Sequence, residues 1–196
     1  MDEEVFDVVI VGGGLAGCAA AYALAKAGVE VVVVERGAFS GSKNMTGGRL
    51  YGHSLEKLIP GFAESAPVER LITRERLSFL TDDSATTMDF ASASLGAPAC
   101  ASYAVLRAPF DQWLAEQAER EGAMFVNEIR VDDLIVRDGR VCGVRAGEDD
   151  MEAKVVLLAD GAVSLLGQKL GMVSPLDPHA MAVSAKEVIQ LDEKTV

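Results

Sequence analysis

The stretch that decides the fold is Val8-Val9-Ile10-Val11-Gly12-Gly13-Gly14-Leu15-Ala16-Gly17, in which an apolar, strand-forming run leads into Gly-x-Gly-x-x-Gly. One helix length later the chain reads Val31-Val32-Val33-Val34-Glu35. Where a glycine turn opens a helix, unpaired backbone N–H groups and the helix dipole both favour an anion. The pattern therefore predicts a β-α-β unit that binds the pyrophosphate of a dinucleotide.

Each residue type in this motif has a separate predicted role. We expect Gly12 to make the tight turn out of the strand, Gly14 to let the backbone approach the phosphates, and Gly17 to let the helix pack closely on the sheet. Glu35 is predicted to accept hydrogen bonds from a ribose, and an acid there favours FAD or NAD over NADP. The alternative is that the glycines only cap a strand in a chain that has 19 of them. The strand before the motif and the acid after it disfavour that alternative.

Composition limits the class of protein. With 196 residues, 49% of them hydrophobic, the chain can bury one core, or one domain and part of a second. Its net charge of −12 makes nucleic acid an unfavourable partner and offers no basic stripe for an anionic membrane.

The cysteines and histidines predict no metal site. Cys18, Cys100 and Cys142 are odd in number and far apart, so we expect reduced thiols and a cytoplasmic protein, with a peripheral position at the inner face of the membrane left open. His53 and His179 stand alone and are taken as ordinary residues.

An uncharged run from Val8 to Ala25 approaches the length of a membrane span. The residues before it are acidic rather than basic, and three consecutive glycines interrupt it. We therefore interpret it as a buried strand and helix.

The rest of the chain predicts an α/β domain with additions. The loop Ser40–Arg49 is rich in turn-forming residues and is either a second cofactor contact or a mobile surface loop. Trp113 is expected in the core. The predicted elements are strands at 5–11, 29–35, 71–80, 85–90, 124–127 and 155–158, helices at 15–27 and 110–118, and an antiparallel meander of strands at 129–136, 140–146 and 151–154, with a hairpin turn at Asp138-Gly139.

A second candidate motif follows the predicted strand at 155–158. Asp160 and Gly161 come where that strand would deliver them to the same sheet edge as the first glycine motif. There the carboxylate could bond a cofactor hydroxyl or order a water on the pyrophosphate. The alternative is that Asp160 only caps a helix beginning near Ser164.

Taken in order, these motifs resemble those of a known flavoprotein family. The segments concerned are Gly-x-Gly-x-x-Gly, Glu35-Arg36, Lys43-Asn44-Met45-Thr46-Gly47-Gly48-Arg49, Arg107 and Ala159-Asp160-Gly161. They resemble the FixC-type electron-transfer flavoprotein:quinone oxidoreductases, which are similar in fold to geranylgeranyl reductases and to aromatic hydroxylases. The resemblance implies an α/β, Rossmann-like FAD-binding domain of glutathione-reductase type, with a β-meander and a β-rich insertion.

The resemblance also implies a role for each matching residue. Gly12, Gly14, Leu15, Ala16 and Gly17 would hold the FAD pyrophosphate, Glu35 the adenosine ribose, and Arg36 would flank the adenine. Thr46, Gly47 and Gly48 would approach the flavin half of FAD. The remaining matches are Arg107 near the pyrophosphate, Val131 with its backbone on the adenine, and the Asp-Gly pair Asp160 and Gly161.

The family pattern continues beyond what this sequence contains. We expect an FAD-binding domain at 1–180 with an insertion at 65–105, and the start of a truncated second domain, opening with a strand at 181–191, at 181–196. The implied activity is electron transfer through FAD between an electron-transfer flavoprotein and a quinone or ferredoxin-like acceptor, with no catalytic side chain required. The alternatives are a prenyl reductase, an aromatic monooxygenase, or an inactive nucleotide-binding fragment.

Overall fold

The computed structural model describes residues 5–97, 100–182 and 192, and its first elements are the predicted β-α-β unit. Strand β1, Val5–Val11, leads through the glycines into helix α1, Leu15–Lys26, and the chain returns in strand β2, Val31–Val34. The two strands are parallel, with Val9 opposite Val32. Glu35 therefore lies just beyond β2 instead of inside the predicted strand at 29–35, which places its side chain at the carboxyl edge of the sheet.

Four more strands complete a six-stranded sheet around this unit. They are β8, Met124–Val126, β9, Asp133–Arg137, β10, Arg140–Ala146, and β11, Asp149–Leu158. The order across the sheet is β8-β2-β1-β11-β10-β9. The pairs β8-β2, β2-β1 and β1-β11 are parallel, while β11-β10 and β10-β9 are antiparallel. The predicted parallel α/β fold and its meander are both present.

The meander differs from its prediction in two places. The predicted strands at 151–154 and 155–158 form one strand, β11, whose first residues pair with β10 and whose later residues pair with β1. Residues 151–158 contain no turn-forming residue, so the strand continues through Lys154 and Val155. The strand predicted at 129–136 begins only at Asp133, and the residues ahead of it lie outside regular structure.

The valine runs of β1 and β2 are covered on both faces. On one face, the two strands pack against α1, in a cluster formed by Val8, Ile10, Val31, Val33, Ala21, Tyr22 and Ala25. On the other face, a second cluster is formed by Val9, Val11, Val32, Val34, Val144, Ala153 and Leu166. Alternate side chains of a strand point to opposite faces, so a continuous apolar run is what a doubly covered sheet requires.

A second, three-stranded sheet lies between β2 and β8 in the sequence. It contains β3, Gly47–Tyr51, β4, Val68–Leu71, and β7, Ser102–Leu106, in the antiparallel order β3-β7-β4. Because β3 begins at Gly47, the loop predicted at 40–49 ends earlier than expected, and this sheet begins ahead of the insertion suggested at 65–105. Helix α2, Gly52–Leu58, and a 3-10 turn, Phe62–Glu64, connect β3 to β4.

A separate two-stranded hairpin pairs β5, Arg74–Leu80, with β6, Ala85–Ala91. The strand predicted at 71–80 is therefore divided, since Leu71 ends β4 in one sheet and Arg74 opens β5 in another. At the division, the backbone N–H of Ile72 donates to the carbonyl of Ser102 at 2.8 Å and holds the chain to the end of β7. A 3-10 turn, Ala93–Gly96, follows the hairpin.

Helix α3, Arg107–Arg120, contains the helical pattern predicted at 110–118 and carries the largest aromatic residues of the core. Phe110 and Trp113 pack at 5.5 Å between ring centroids, and Trp113 is 8% exposed, as expected for a core residue. A short helix α4, Leu165–Lys169, and a 3-10 turn, Pro178–Ala180, follow β11. The strand predicted at 181–191 falls almost entirely outside the described residues. Within the described ranges, every helix lacks the length and apolar character needed to cross a bilayer.

Candidate functional site

The turn after β1 depends on two glycines that have no room for a side chain. Gly12 has φ +104°, and a Cβ there would stand 2.4 Å from the carbonyl oxygen of Ala159 on the neighbouring strand. A Cβ on Gly17 would stand 1.9 Å from the carbonyl oxygen of Gly12. Because Gly17 has no Cβ, the first turn of α1 packs directly on the end of β1. Because Gly12 has none, the turn also lies close against Ala159. Both glycines therefore shape the protein itself.

Gly14 is different, because the position of its missing Cβ is open. It lies at the N-cap of the twelve-residue α1 in extended conformation, and no other protein atom comes within 4 Å of where a Cβ would stand. Gly14 lines a cleft at the carboxyl edge of the sheet, where the helix offers its unpaired N–H groups. A side chain here would occupy the space that an anionic ligand needs.

This cleft has a volume of about 430 Å³, within the range of roughly 300–1,000 Å³ typical of small-molecule sites. Seven of the residues predicted from the sequence line it: Gly12, Gly14, Glu35, Arg36, Val131, Asp160 and Gly161. The topology explains this convergence, since the parallel strands β2, β1 and β11 all end here.

Glu35 is held in one orientation by the backbone. Its two carboxylate oxygens accept hydrogen bonds from the N–H groups of Gly13 at 2.8 Å and Gly37 at 2.6 Å. The ammonium of Lys43 lies 3.8 Å from the same carboxylate. Each carboxylate oxygen can accept more than one hydrogen bond, so Glu35 keeps capacity for a ribose hydroxyl while its geometry is fixed.

Asp160 has a structural partner as well as a place in the cleft. Its carboxylate accepts the backbone N–H of Leu166 at 3.2 Å, which satisfies a donor in the first turn of α4. Gly161 beside it has φ +88° and open space at its Cβ position. The capping role considered from the sequence is thus present, and it leaves the second oxygen of Asp160 and the backbone of Gly161 at the cleft wall.

The other predicted residues do not line this cleft. Leu15, Ala16 and Gly17 form the first turn of α1, behind Gly14. Thr46, Gly47 and Gly48 are exposed at the start of β3, and Arg107 opens α3, where its N–H donates to the carbonyl of Thr46 at 3.0 Å. These last four residues therefore form a second group, joined to each other and separate from the cleft.

The cleft also contains residues that were not among the predicted ones. Gly41, Lys43 and Asn44 supply one wall, and Ile129 and Arg130 supply part of another. The turn-forming composition of Ser40–Arg49 was the available signal for the first wall, and the structure places Gly41, Lys43 and Asn44 of that loop at the cleft. The sequence did not indicate that Ile129 and Arg130 belong to the cleft, because both were expected inside the strand predicted at 129–136.

Cys18 lies directly beneath the glycine turn and is fully buried. Its thiol donates to the carbonyl of Gly13 at 3.2 Å, and burial raises its pKa to about 12. A thiol that stays protonated at neutral pH is a packing group and not a nucleophile. All three cysteines are free thiols, and no cluster of metal-ligating side chains occurs among the described residues.

The structure therefore fits the predicted dinucleotide at three points. An open position at Gly14 lies at a helix N-terminus, an oriented carboxylate stands at the end of the next strand, and a glycine with open space follows β11. Together with the parallel sheet, these features define a Rossmann-type dinucleotide-binding domain.

Comparison with family models gives the particular family. Residues 7–187 match the model described as Glucose inhibited division protein A, and the chain belongs to that family. This result confirms the predicted fold class and agrees with FAD as the predicted cofactor.

Two relatives are similar to the chain over its whole length. The chain is 55% identical over all 196 residues to Protein FixC of Escherichia coli K12, and 54% identical over the same length to the probable electron transfer flavoprotein-quinone oxidoreductase YdiS of that strain. The chain spans 46% of each of those proteins, about half their length. The resemblance seen in the sequence is thus confirmed.

Solved structures share the fold. A geranylgeranyl bacteriochlorophyll reductase-like protein of Thermoplasma acidophilum superposes with a TM-score of 0.68 at 26% identity, covering 85% of this chain and 42% of that one. The myxobacterial FAD-dependent halogenase CndH gives a TM-score of 0.68 at 24% identity, covering 84% of this chain and 39% of that one. At that identity the halogenase supports the fold alone.

Proposed function

We propose that this chain is the FAD-binding part of an oxidoreductase that passes electrons from an electron-transfer flavoprotein to a quinone. The observation that carries the proposal is the cleft itself, in which the open Cβ position of Gly14 and the oriented carboxylate of Glu35 line the same space. The name of YdiS supplies the electron-transfer class, and the similarity to YdiS and to FixC covers the whole chain. A ferredoxin-like acceptor is the variant of this proposal suggested by the sequence.

The proposed residue roles follow the geometry of the cleft. Gly12, Gly14 and the first turn of α1, which contains Leu15, Ala16 and Gly17, would receive the pyrophosphate. Glu35 would bind the adenosine ribose, with Arg36 and Val131 beside the adenine and Asp160 and Gly161 on the opposite wall. The exposed group of Thr46, Gly47, Gly48 and Arg107 would lie toward the flavin half and the phosphates.

When bound, FAD supplies the electron-transfer chemistry. The residues of this chain bind the cofactor, orient it against the sheet edge and leave no titrating side chain in a catalytic role. We therefore nominate no catalytic residue, and the 196 residues alone are expected to turn nothing over. A cytoplasmic location, with or without contact to the inner face of the membrane, remains a prediction from the sequence.

The first test is Gly14→Ala, measured by FAD titration with flavin fluorescence and visible absorbance. Because nothing in the protein occupies the new methyl position, we expect the variant to fold normally and to bind FAD at least tenfold more weakly, a loss of about 1.4 kcal/mol. Gly96→Ala is the matched control. The methyl it adds meets only ordinary contacts at 3.5 Å or more, far from the cleft, so FAD binding should be unchanged.

Two outcomes would contradict the proposed cofactor role. One is a wild-type chain that shows no flavin band and takes up no FAD on titration. The other is a Gly14→Ala variant that binds FAD as tightly as the wild type, because that would place the cofactor elsewhere.

The proposed reaction needs the full-length protein. Its flavin should be reduced by a reduced electron-transfer flavoprotein and reoxidised by a quinone analogue. Similarity to the geranylgeranyl reductase-like structure favours a second candidate, a prenyl reductase. Reduction of the flavin by NAD(P)H, with hydrogenation of a prenyl double bond, would support that candidate, and oxygen consumption dependent on an aromatic substrate would support a monooxygenase.

A further inference from the structure

Asp111 is a buried carboxylate that the proposed roles leave unused. It lies in the second turn of α3 with no exposed surface, and its two oxygens accept hydrogen bonds from Nε and Nη2 of Arg107, both at 2.8 Å. The side-chain amide of Asn44 donates to one of those oxygens. A carboxylate is removed from water at high cost unless it is paired and hydrogen-bonded, so this arrangement depends on all three side chains.

Asp111 lies where α3 meets the loop at residues 40–46, which supplies one wall of the cleft. Gly41 has φ +94°, and a Cβ there would stand 2.7 Å from the carbonyl oxygen of Ala108 and 2.8 Å from Cβ of Asp111. With the Asn44 amide and the Arg107 N–H to Thr46 carbonyl contact, this gives three separate attachments between the loop and the first two turns of the helix.

The same loop residues face the ligand space. Gly41, Lys43 and Asn44 line the cleft, and Lys43 reaches toward Glu35. Helix α3 is itself fixed to α1, because Phe110, Trp113 and Leu114 pack in one cluster with Cys18 beneath the glycine turn. The position of this wall relative to the glycine turn is therefore set through the attachment at Asp111.

We propose that Asp111 is a positioning residue of the cofactor site. It fixes the Asn44 side chain in the cleft wall and aligns the Arg107 guanidinium by accepting hydrogen bonds from both, and it acts on the cofactor only through them. The proposal rests on the proposed function in one respect, that the cleft binds the adenosine diphosphate part of FAD. The ion pair of Arg107 and Asp111 also sets which hydrogen-bond donors are used. Asp111 accepts from two of the five N–H donors of the Arg107 side chain and leaves the others for a ligand.

The test compares Asp111→Asn, Asn44→Ala and the double variant, with Gln112→Ala as control. Gln112 is the adjacent, exposed residue of the same helix. The probes are FAD, followed by fluorescence, and ADP, followed by calorimetry. We expect Asp111→Asn and Asn44→Ala each to raise the Kd for both probes about tenfold, the effect of losing a hydrogen bond to a charged group. The double variant should be no weaker than Asp111→Asn alone, because Asp111→Asn already disrupts the contact through which Asn44 is held.

Melting temperatures separate positioning from stability. Asp111→Asn is expected to lower the melting temperature, so its Kd is measured well below the transition, and Asn44→Ala provides a variant whose amide is only partly buried. If Asp111→Asn melts earlier while both variants bind FAD and ADP with wild-type Kd, Asp111 is structural only and the proposal is overturned.

A second measurement does not depend on the cofactor. Trypsin cleavage after Lys43 in the ligand-free chain should be faster in both variants than in the wild type and in Gln112→Ala, because the loop has lost its attachment. A wild-type chain that binds neither FAD nor ADP would refute the proposed function. In that case faster cleavage in the variants would still show that Asp111 attaches the loop to α3, and unchanged cleavage would overturn that attachment as well.

Discussion

The six-stranded sheet and the β5-β6 hairpin use similar residues with opposite results. In the sheet, Val9, Ile10 and Val33 have no exposed surface. In the hairpin, Leu77 is 54% exposed and Phe79 is 61% exposed. The two regions differ in what covers them. Helix α1 packs on one face of β1 and β2, and residues of β10, β11 and α4 pack against the valines of the other face. The described residues leave both faces of the hairpin open.

The register of the hairpin places four of its exposed apolar side chains, Leu77, Phe79, Met88 and Phe90, on one face. Leu77 lies opposite Met88, and Phe90 lies opposite Glu75, two residues away on the same side. The other face carries the ion pairs of Arg74 and Arg76 with Asp89 and a hydrogen bond between Ser78 and Thr87. A two-stranded ribbon is only marginally stable by itself, so the comparison indicates that the free energy of folding resides in the sheet.

The comparison is tested most strongly at Ile10. Ile10→Ala removes a side chain buried between β1 and α1, and we expect a loss of about 2–5 kcal/mol in the free energy of unfolding, because the cavity cannot collapse against a packed sheet. Urea denaturation followed by far-UV circular dichroism measures it.

Leu77→Ala is the matched control for that change. It removes a similar volume from the exposed hairpin, so we expect a change within about 0.5 kcal/mol. Equal losses at the two positions would show that the hairpin is covered in the folded protein and would remove the contrast.

The next largest effect is expected at the glycine turn. Gly17→Ala places a methyl against the carbonyl oxygen of Gly12, and the helix must move away from the strand, at a cost of about 1–3 kcal/mol. Thermal melting should show this loss, and FAD titration should show weakened binding as well. Gly14→Ala should affect binding only, so a Gly17→Ala variant with wild-type stability would contradict the packing role.

Much of the sheet could be predicted because its sequence signals are local. The strand before Gly12, the helix after Gly14 and the acid at position 35 are fixed by spacing along the chain. The strand and the helix occupy the predicted places, and the acid lies directly after β2 instead of inside it. Four further residues of the cleft, Arg36, Val131, Asp160 and Gly161, followed from the family resemblance or from strand ends.

The rest could not be predicted because it depends on contacts distant in sequence. The attachment of Asn44 to Asp111 joins residues 67 positions apart, and nothing in either local sequence signals it. Similarly, a β-rich stretch such as 71–80 indicates strand, but not that Leu71 and Arg74 belong to different sheets. The exposure of the hairpin was also outside the sequence pattern, since alternation specifies an apolar face without specifying what covers it.

A pH effect is expected beneath the sheet and not in the hairpin. Burial raises the pKa of Cys18 to about 12 from its ordinary 9.0, so the folded chain keeps a proton that the unfolded chain loses. Stability from this group is therefore fully present below about pH 9 and falls as pH rises toward 12. Urea unfolding at pH 8 and pH 10 should show the decline.

Cys18→Ala separates this group from other alkaline titrations. The variant should lose less stability than the wild type between pH 8 and pH 10, even though its absolute stability is lower. Cys142→Ala, at a partly exposed thiol, is the control and should follow the wild type. Identical pH slopes for wild type and Cys18→Ala would show that the thiol is not protected by burial.

The smallest expected effect lies on the polar face of the hairpin. Hydrogen bonds from Arg74, supplemented by Arg76, lower the pKa of Asp89 from 3.8 to about 2. Because the folded-state pKa is depressed, the pair stabilises the hairpin locally above pH 3.8, and this local contribution is lost as pH falls through about 2. Arg74→Gln should return the pKa of Asp89 toward 3.8, measured from the carboxyl carbon by NMR, while Arg76→Gln should shift it less.

Neither arginine variant should change the melting temperature at pH 7, because an exposed ion pair is screened by water and salt. The pKa of Asp89 and the melting temperature, measured on the same variants, together test most directly whether the hairpin supports the sheet. A large local change in the pKa of Asp89 without a change in global stability would show that the hairpin folds on the sheet without supporting it. If Arg74→Gln instead lowered the melting temperature as Ile10→Ala does, the hairpin and the sheet would have to unfold as one cooperative unit.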